Sequence, residues 1–320
     1  MAERPRLAVL MDPMASINPA KDSTLAMMLA AQARGIELHY FEQRDLWVRD
    51  GIAMARLRPV TVRDDLRDWY GLGEAVTTPL SGMDAVLMRK DPPFDTEYIY
   101  TTYLLERAEA AGTLVVNRPQ GLRDMNEKVF TAWFPECCAP TLITRDMAGM
   151  AAFMAEHGRV VCKPLYGMGG RSIFVLDAGD KNANVVFETL TEYGQRYAIV
   201  QRYIPDIVET GDSRVLLIDG EPVEYALARI PAAGDNRGNL AAGAQGVGRP
   251  LNARDRWLCS RIGPVLRERG MMFVGLDVIG GFVTEINVTS PTGIRELNKQ
   301  FKTDIAGRLI DAILRRLGRS

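Results

Sequence analysis

Short apolar runs and helically spaced apolar residues alternate along the first third of the chain. Leu7–Met11 forms one such run. It leads to Asn18-Pro19, read as an N-cap and first helical residue. Leu25, Met28, Leu29 and Gln32 then fall on one side of a helix that should stop at Gly35. A second strand is expected over Ile36–Phe41, and Asp50-Gly51 between Leu46–Arg49 and Ile52–Leu57 signals a hairpin. Ala85–Met88 reads as a further strand, Asp95 as the cap of a helix closed by Gly112, and Leu114–Val116 as another strand. This alternation predicts an open, mostly parallel α/β sheet.

Beyond Asn117-Arg118-Pro119 the units change. A helix is expected through Met125–Phe134, followed by strand Leu142–Thr144, helix Asp146–Glu156, strand Val160–Lys163, a Gly loop and strand Ile173–Leu176. Val215–Ile218 and Pro222–Ala228 flank a second hairpin signal, Asp219-Gly220. The glycine-rich segment Pro231–Pro250 lacks periodicity and reads as one long mobile loop. Asn252–Arg269 should be helical, Met272–Val288 a strand pair around Gly280-Gly281, and Thr292–Leu317 largely helical. No internal repeat is visible.

Composition narrows the chemistry. At roughly one domain per 150 residues, 320 residues suggest two folding units. With 39 basic against 40 acidic side chains, bulk charge gives no reason to bind nucleic acid or an anionic membrane. No run of about 20 apolar residues exists to span a bilayer, and the N-terminus lacks an export signal's cleavage region, so a cytoplasmic location is expected. The only histidines, His39 and His157, sit in a strand and at a helix end. Cys137, Cys138, Cys162 and Cys259 show no metal-ligand spacing and read as core residues. An enzyme with this inventory works without zinc, a histidine base or a catalytic thiol.

Three constellations remain. Lys163 ends a strand and precedes Gly167-Met168-Gly169-Gly170, a loop whose backbone can approach a phosphate. It is neither a Walker loop nor a dinucleotide fingerprint, because a strand follows it; for the loop alone, a plain Gly-rich turn is an equal reading. Glu285 and Asn287 lie two apart on a strand and share a face. A three-residue loop at Gly280–Phe282 would set Asp277 opposite Glu285; a two-residue loop would send Asp277 to the other face. Carboxylate and amide oxygens without histidine suit Mg²⁺ or Mn²⁺. Finally, Ile199–Ile204 is an apolar strand ending in polar groups, and Arg214, Arg229 and Arg237 punctuate strand ends and the glycine-rich loop, where anions could be held bidentately.

The runs Met88-Arg89-Lys90-Asp91-Pro92-Pro93-Phe94-Asp95, Asn126-Glu127-Lys128, Lys163-Pro164 with Gly167–Gly170, Gly238-Asn239-Leu240-Ala241-Ala242-Gly243 and Thr284-Glu285-Ile286-Asn287-Val288-Thr289-Ser290-Pro291-Thr292 closely resemble the prokaryotic glutathione synthetases. The Gly loop is shared by many ATP-grasp ligases; the Arg89–Pro93 run is far more specific. The resemblance covers essentially the whole chain. It implies an α/β protein: a Rossmann-like N-terminal substrate-binding sheet over residues 1–122, then a two-lobed ATP-grasp domain over 123–320. Within the latter, a lid lobe would span about 123–204 and a C-terminal lobe about 205–320, including the mobile loop 231–250. Lys128, Lys163 and Gly167, Met168, Gly169 and Gly170 would contact ATP phosphates. Gln201, Arg202, Tyr203 and Ile204 would line the adenine pocket, and Asp212 would lie near the ribose. Asp277, Glu285 and Asn287 would hold Mg²⁺ or Mn²⁺. Arg214, Arg229 and Asn239 would hold the dipeptide and the transferring group, with Arg237 in the lid loop. The family also suggests a homotetramer.

The implied reaction joins γ-glutamylcysteine to glycine with ATP, through an acyl phosphate. No protein nucleophile is then required, in keeping with the scarcity of histidine and cysteine. The rivals are another ATP-grasp carboxylate–amine ligase and a non-catalytic nucleotide-binding regulator on the same fold.

Overall fold

The computed structural model describes residues 4–167, 171–231 and 245–319. The first third folds as β1 (Arg6–Leu10), α1 (Ser23–Ala33), β2 (Glu37–Phe41), β3 (Leu46–Arg49), β4 (Ile52–Val62), β5 (Tyr70–Leu72), β6 (Val76–Pro79), β7 (Ala85–Met88), α2 (Thr96–Ala110) and β8 (Leu114–Val116). β1 lies between β2 and β7, and β7 beside β8, all parallel. β4 pairs antiparallel with β2, β3, β5 and β6 and extends one edge. The apolar runs of β1 and β7 are buried on both faces, as a covered parallel sheet requires. Asp50 and Gly51 both take positive φ, 51° and 78°, the mirror-image turn that matches the twist of a hairpin. Asp219 and Gly220 repeat it at 49° and 81°.

Two helix starts differ from expectation. Asn18 does not open α1; its side chain accepts from the Ala20 N–H, and Asp22 caps the helix by accepting from Leu25 N–H at 2.6 Å. Asp22 is the capping side chain that adjoins the apolar periodicity, a cap overlooked in the sequence. The expected helix over Met125–Phe134 is split. α3 (Pro119–Asp124) begins at a proline that has no N–H to lose, and the Asn126 carboxamide then accepts from the N–H groups of Lys128 and Val129, leaving only a short 3₁₀ turn.

The middle of the chain builds β9 (Thr141–Thr144), α4 (Met147–His157), β10 (Arg159–Pro164), β11 (Phe174–Asp177), α5 (Ala183–Thr191) and β12 (Ala198–Arg202). This antiparallel sheet, ordered β11-β10-β12-β9, has a core of its own around Met150, Cys162, Phe187 and Leu190. The last part gives β13 (Asp212–Ile218), β14 (Glu221–Ile230), β15 (Gln245–Pro250), α6 (Ala253–Glu268), β16 (Phe273–Ile279), β17 (Phe282–Asn287), α7 (Ile294–Phe301) and α8 (Ile305–Arg316). Its sheet runs β15-β14-β13-β16-β17. Unlike the middle sheet, it shares buried clusters with the first: Leu7, Val9 and Met27 belong with Leu216, Phe273 and Ile310.

The glycine-rich segment is shorter than the sequence suggests. Residues 245–250 pair with β14 as an edge strand and are not part of a loop. Gly248 is there for space: a Cβ would lie 2.2 Å from the Phe301 ring, which stacks on Tyr225 at 3.8 Å. Residues 232–244 lie outside the described residues, and with them Arg237 and Asn239; so do Met168, Gly169 and Gly170.

Asn117, directly after β8, joins the first and last sheets. Its buried carboxamide donates to the carbonyls of Phe273 (2.8 Å) and Val288 (2.6 Å) and accepts from the Phe273 N–H (2.9 Å). Asn117→Ala should strand these backbone groups and lower unfolding free energy by about 2–4 kcal/mol in urea titrations. A loss below about 0.5 kcal/mol would show that the bonds do not hold the sheets together.

Candidate active site

A cavity of about 720 Å³ opens where the three sheets meet. The face of the last sheet that lines it follows from strand periodicity. Asp212 and Arg214 are two apart on β13 and share a face. Arg229 of β14 lies opposite Asp212, Asp277 of β16 opposite Arg214, and Glu285 of β17 opposite Asp277. Asn287 follows two residues after Glu285. Acidic and basic side chains thus form one row across four strands.

The β16–β17 register was the condition set by the sequence, and it is met by a route the sequence did not suggest. The turn has two residues, because Ile279 pairs with Phe282. A bulge then absorbs Thr284, so that Val278 faces Val283 while Asp277 faces Glu285. Thr284 Oγ1 donates to the Asp277 carbonyl at 3.3 Å within the bulge.

Asp277 is clamped. Arg214 donates to it through two nitrogens, at 2.5 and 2.9 Å, Arg229 lies at 2.9 Å, and Asn287 donates at 3.2 Å. Burial opposes its charge, but the two guanidinium groups outweigh burial and hold the carboxyl far below the usual range. Arg229 also pairs with Asp212 at 2.5 Å. One cation shared by two carboxylates serves the second poorly. Burial therefore dominates at Asp212 and pushes it up to about 7, even with Arg229 in contact. Asp212 Oδ1 is buried and has no hydrogen-bond partner among the described residues. It is an acceptor awaiting a donor.

Lys128 and Lys163 supply the positive end. Lys128 bonds Glu127 at 2.7 Å, approaches Glu285 at 3.7 Å and reaches the Gly167 carbonyl at 3.3 Å. Burial lowers its pKa, yet Glu285 and Glu127 more than offset this, and the net direction is upward. Lys163 is only 7% exposed and has no ion pair among the described residues; burial pulls its pKa down. The Glu127 carbonyl accepts from Ile286 N–H, which fixes the lysine segment to the metal-candidate strand. Gly167 has φ +103°, a conformation closed to most side chains.

Gln201, Arg202, Tyr203 and Ile204 line the same cavity at the end of β12. Gln201 is buried and donates one amide N–H to Thr141 Oγ1 at 3.1 Å, which fixes its place in the wall. Val161, Ile173, Val175, Ile279 and Val283 make an apolar slot between the second and third sheets. Every described residue expected at the site therefore reaches one cavity. Two contributors were missing from the expected set. Glu127 was signalled only by its place beside Lys128, and Asp91 by its place in the Arg89–Pro93 run.

Glu285 and Asn287 fit a hard divalent cation. Among the described residues the Glu285 carboxylate has only the loose Lys128 contact, and Asn287 engages its amide N–H₂, leaving its carbonyl oxygen. On Asp277, Oδ2 takes three of the four contacts and Oδ1 one, which leaves a single lone pair on Oδ1. Among the described residues no three His, Cys, Asp or Glu side chains converge as a protein-only cage. An ion here would need oxygens from another source, as Mg²⁺ shared with phosphates does.

An antiparallel four-stranded sheet facing a second sheet across basic, acidic and apolar walls defines an ATP-grasp protein. Solved structures support the fold: D-cycloserine synthetase DcsG superposes with TM-score 0.70 at 17% identity, over 98% of this chain and 99% of that one. The ATP-grasp ligase PsnB in complex with a minimal precursor gives 0.65 at 19% identity, over 98% and 100%. Models of the "Prokaryotic glutathione synthetase, N-terminal domain" and "Prokaryotic glutathione synthetase, ATP-grasp domain" match residues 6–123 and 127–302. The glutathione synthetase of Pseudomonas putida is 57% identical over 312 residues, 98% of each chain, and that of Shewanella oneidensis 56% identical over 313 residues, 98% of this chain and 99% of that one. The chain belongs to the prokaryotic glutathione synthetase family.

Two measurements follow from the charges. Asp212 holds a proton between about pH 4 and 7 that the unfolded chain releases, so its burial costs stability progressively as pH rises through that window. Asp212→Asn should therefore lose less stability between pH 5 and pH 8 than the parent; an equal or larger loss, by urea titration at both values, refutes the assignment. Burial pushes the Cys138, Cys162 and Cys259 thiols up to about 12. At pH 8 only about one in 10⁴ is thiolate, so iodoacetamide should label them only after denaturation, as mass spectrometry would read.

Proposed function

We propose that this protein joins γ-L-glutamyl-L-cysteine to glycine at the expense of ATP, forming glutathione, ADP and phosphate. The observation that carries the reading is a family match over nearly the whole chain, combined with a cavity holding the family's described residues together. The base would occupy the apolar slot beside Gln201–Ile204, with Asp212 Oδ1 accepting from a ribose hydroxyl. Lys128, Lys163 and the loop 167–170 would bind the phosphates.

The cysteinyl carboxylate attacks the γ-phosphorus, the bond to the bridging oxygen breaks, and ADP leaves. Glycine's amine then attacks the acyl carbon, phosphate departs, and the amine gives up a proton. Glu285, Asn287 and the free lone pair of Asp277 would hold Mg²⁺ or Mn²⁺, which neutralises phosphate charge when bound. The protein's own part is positioning and charge: two buried lysines against the phosphates, and arginines already oriented by Asp277 and Asp212. Arg214, Arg229 and, outside the described residues, Arg237 and Asn239 would serve the dipeptide and the transferring group. We divide the chain near residue 122 into a substrate-binding domain and the ATP-grasp domain.

Among the described residues no helix is long and apolar enough to cross a membrane. We place the protein in the cytoplasm, where its described cysteines, all unpaired, stay reduced, and we propose a homotetramer, which light scattering can read.

Purified protein given ATP, Mg²⁺, γ-glutamylcysteine and glycine should release phosphate and tripeptide in equal amounts. Phosphate no higher than background sinks the reading. Glu285→Gln should raise the Mg²⁺ concentration for half-maximal rate about tenfold or more, by analogy with the loss of a metal-site partner; an unchanged requirement would remove Glu285 from the metal site.

A further inference from the structure

The Arg89–Pro93 run, the most specific part of the family signature, has no task in the steps above. It leaves β7 and supplies the cavity wall contributed by the first sheet, with Asp91 to Thr96 facing the cavity alongside Thr289 to Thr292. Arg89 is 6% exposed and bridges two segments: Nε donates to Thr24 Oγ1 of α1 and Nη2 to the Pro291 carbonyl, each at 3.0 Å. Lys90 pairs with Asp12 at 2.8 Å, and Asp12 also accepts from the Asp91 N–H at 2.9 Å. The backbone of Asp91 is thereby fixed. Its side chain accepts from the Ser290 hydroxyl through Oδ1, and Oδ2 has no hydrogen bond among the described residues.

Asp91 differs from the other carboxylates around the cavity. Glu127 is paired with Lys128, Asp212 with Arg229, Asp277 with two arginines, and Glu285 lies near Lys128. Asp95 caps α2 by accepting from Tyr98 N–H. Asp91 alone has neither an ion pair nor a cap among the described residues; the buried Arg89 guanidinium acts on it only at longer range. A carboxylate held in place with one oxygen free is a receptor for a cation or a strong donor.

We propose that Asp91, steadied by Ser290, binds the α-ammonium of the γ-glutamyl end of the dipeptide and selects substrates that carry a free amino-acid head there. The inference rests on the ligase reading above. Reach supports it. Ser290 is three residues beyond Asn287, a span of up to about 10 Å, and the seven bonds from the cysteinyl carboxylate carbon to the α-nitrogen extend to about 9 Å. A dipeptide with its carboxylate at the phosphate end can therefore place its ammonium at Asp91. Glycine's amine is the wrong occupant: it must be unprotonated to attack, and a carboxylate beside it would favour the ammonium. Arg89 is a positioning residue, tying the Pro291 wall to the first sheet so that Asp91 and Ser290 stay in register.

The test compares γ-glutamylcysteine with N-glutarylcysteine, the same molecule without the α-amino group, in the parent and in Asp91→Asn. The parent should prefer the natural dipeptide by at least about 30-fold in kcat/KM. Asp91→Asn should raise KM for γ-glutamylcysteine about tenfold or more and reduce the preference to within about threefold, with KM for ATP little changed. A preference that survives in Asp91→Asn overturns the inference, as does an effect confined to KM for glycine. Should Asp91→Asn not fold, Ser290→Ala, which frees the Asp91 side chain, should give an intermediate preference, and an unchanged one overturns the proposal equally. If the parent makes no tripeptide at all, the ligase reading falls and this one with it; if it turns over normally and only the variants fail to shift preference, the ligase reading stands alone.

Discussion

Everything at the site depends on four charged side chains on one sheet face: Arg214, Arg229 and Asp277, which are buried, and Asp212, which is mostly so. Removing such groups from water costs roughly several kcal/mol each, and the cost is recovered only with close pairing and good geometry. Asp277 achieves this with a two-nitrogen contact from Arg214 and a further contact from Arg229. Asp212 does so incompletely, since its Oδ1 has no partner among the described residues. The row is stable enough to persist and lacks one donor, which the hydroxyl of a ligand can supply. The same row sets the directions of two arginines before any substrate arrives, so less ordering is left for binding to accomplish.

The way the sheets are joined separates rigid parts from independent ones. The first and last sheets share buried clusters and are tied by the Asn117 carboxamide and by Arg89 on the Pro291 carbonyl. The middle sheet packs around its own core. Substrate walls therefore sit on a common body, whereas Lys163 and Gln201–Ile204 ride on a lobe with an independent interior. Lys128 lies between them, held to β17 through the neighbouring Glu127 carbonyl and touching the Gly167 carbonyl of the other lobe.

Much of this was legible in the sequence because local chemistry determines it. Asp50-Gly51 and Asp219-Gly220 demand positive φ, and the apolar runs of β1 and β7 demand covering on two sides. Lys163 and Gly167 also reach the cavity, as their strand-end placement implied. What could not be read depends on partners distant in sequence. Gly248 marks an edge strand only because Phe301 needs its missing side chain, and the glycines around it look like loop. The register of Asp277 required a bulge at Thr284, which no two-residue periodicity reveals. Nor did composition disclose that Asp277, expected as an open metal ligand, would spend most of its lone pairs on Arg214, Arg229 and Asn287. A carboxylate on a predicted metal face says nothing of the cations on the next strand.

The scarcity of histidine and cysteine takes on a sharper meaning beside this geometry. Both reacting nucleophiles, a carboxylate and an amine, belong to the substrates, so the protein needs fixed charge more than it needs a base of intermediate pKa. Its own thiols face a different constraint, because substrate and product are thiols whose disulfide forms can exchange with any accessible protein thiolate. Attack requires the thiolate. Burial raises Cys138, Cys162 and Cys259 far above neutral pH, and Cys137 and Cys162 have no exposed surface. The cysteines are thus chemically silent for the reason that makes them good core residues. An enzyme that handles thiols keeps the reactive sulfur on its substrate.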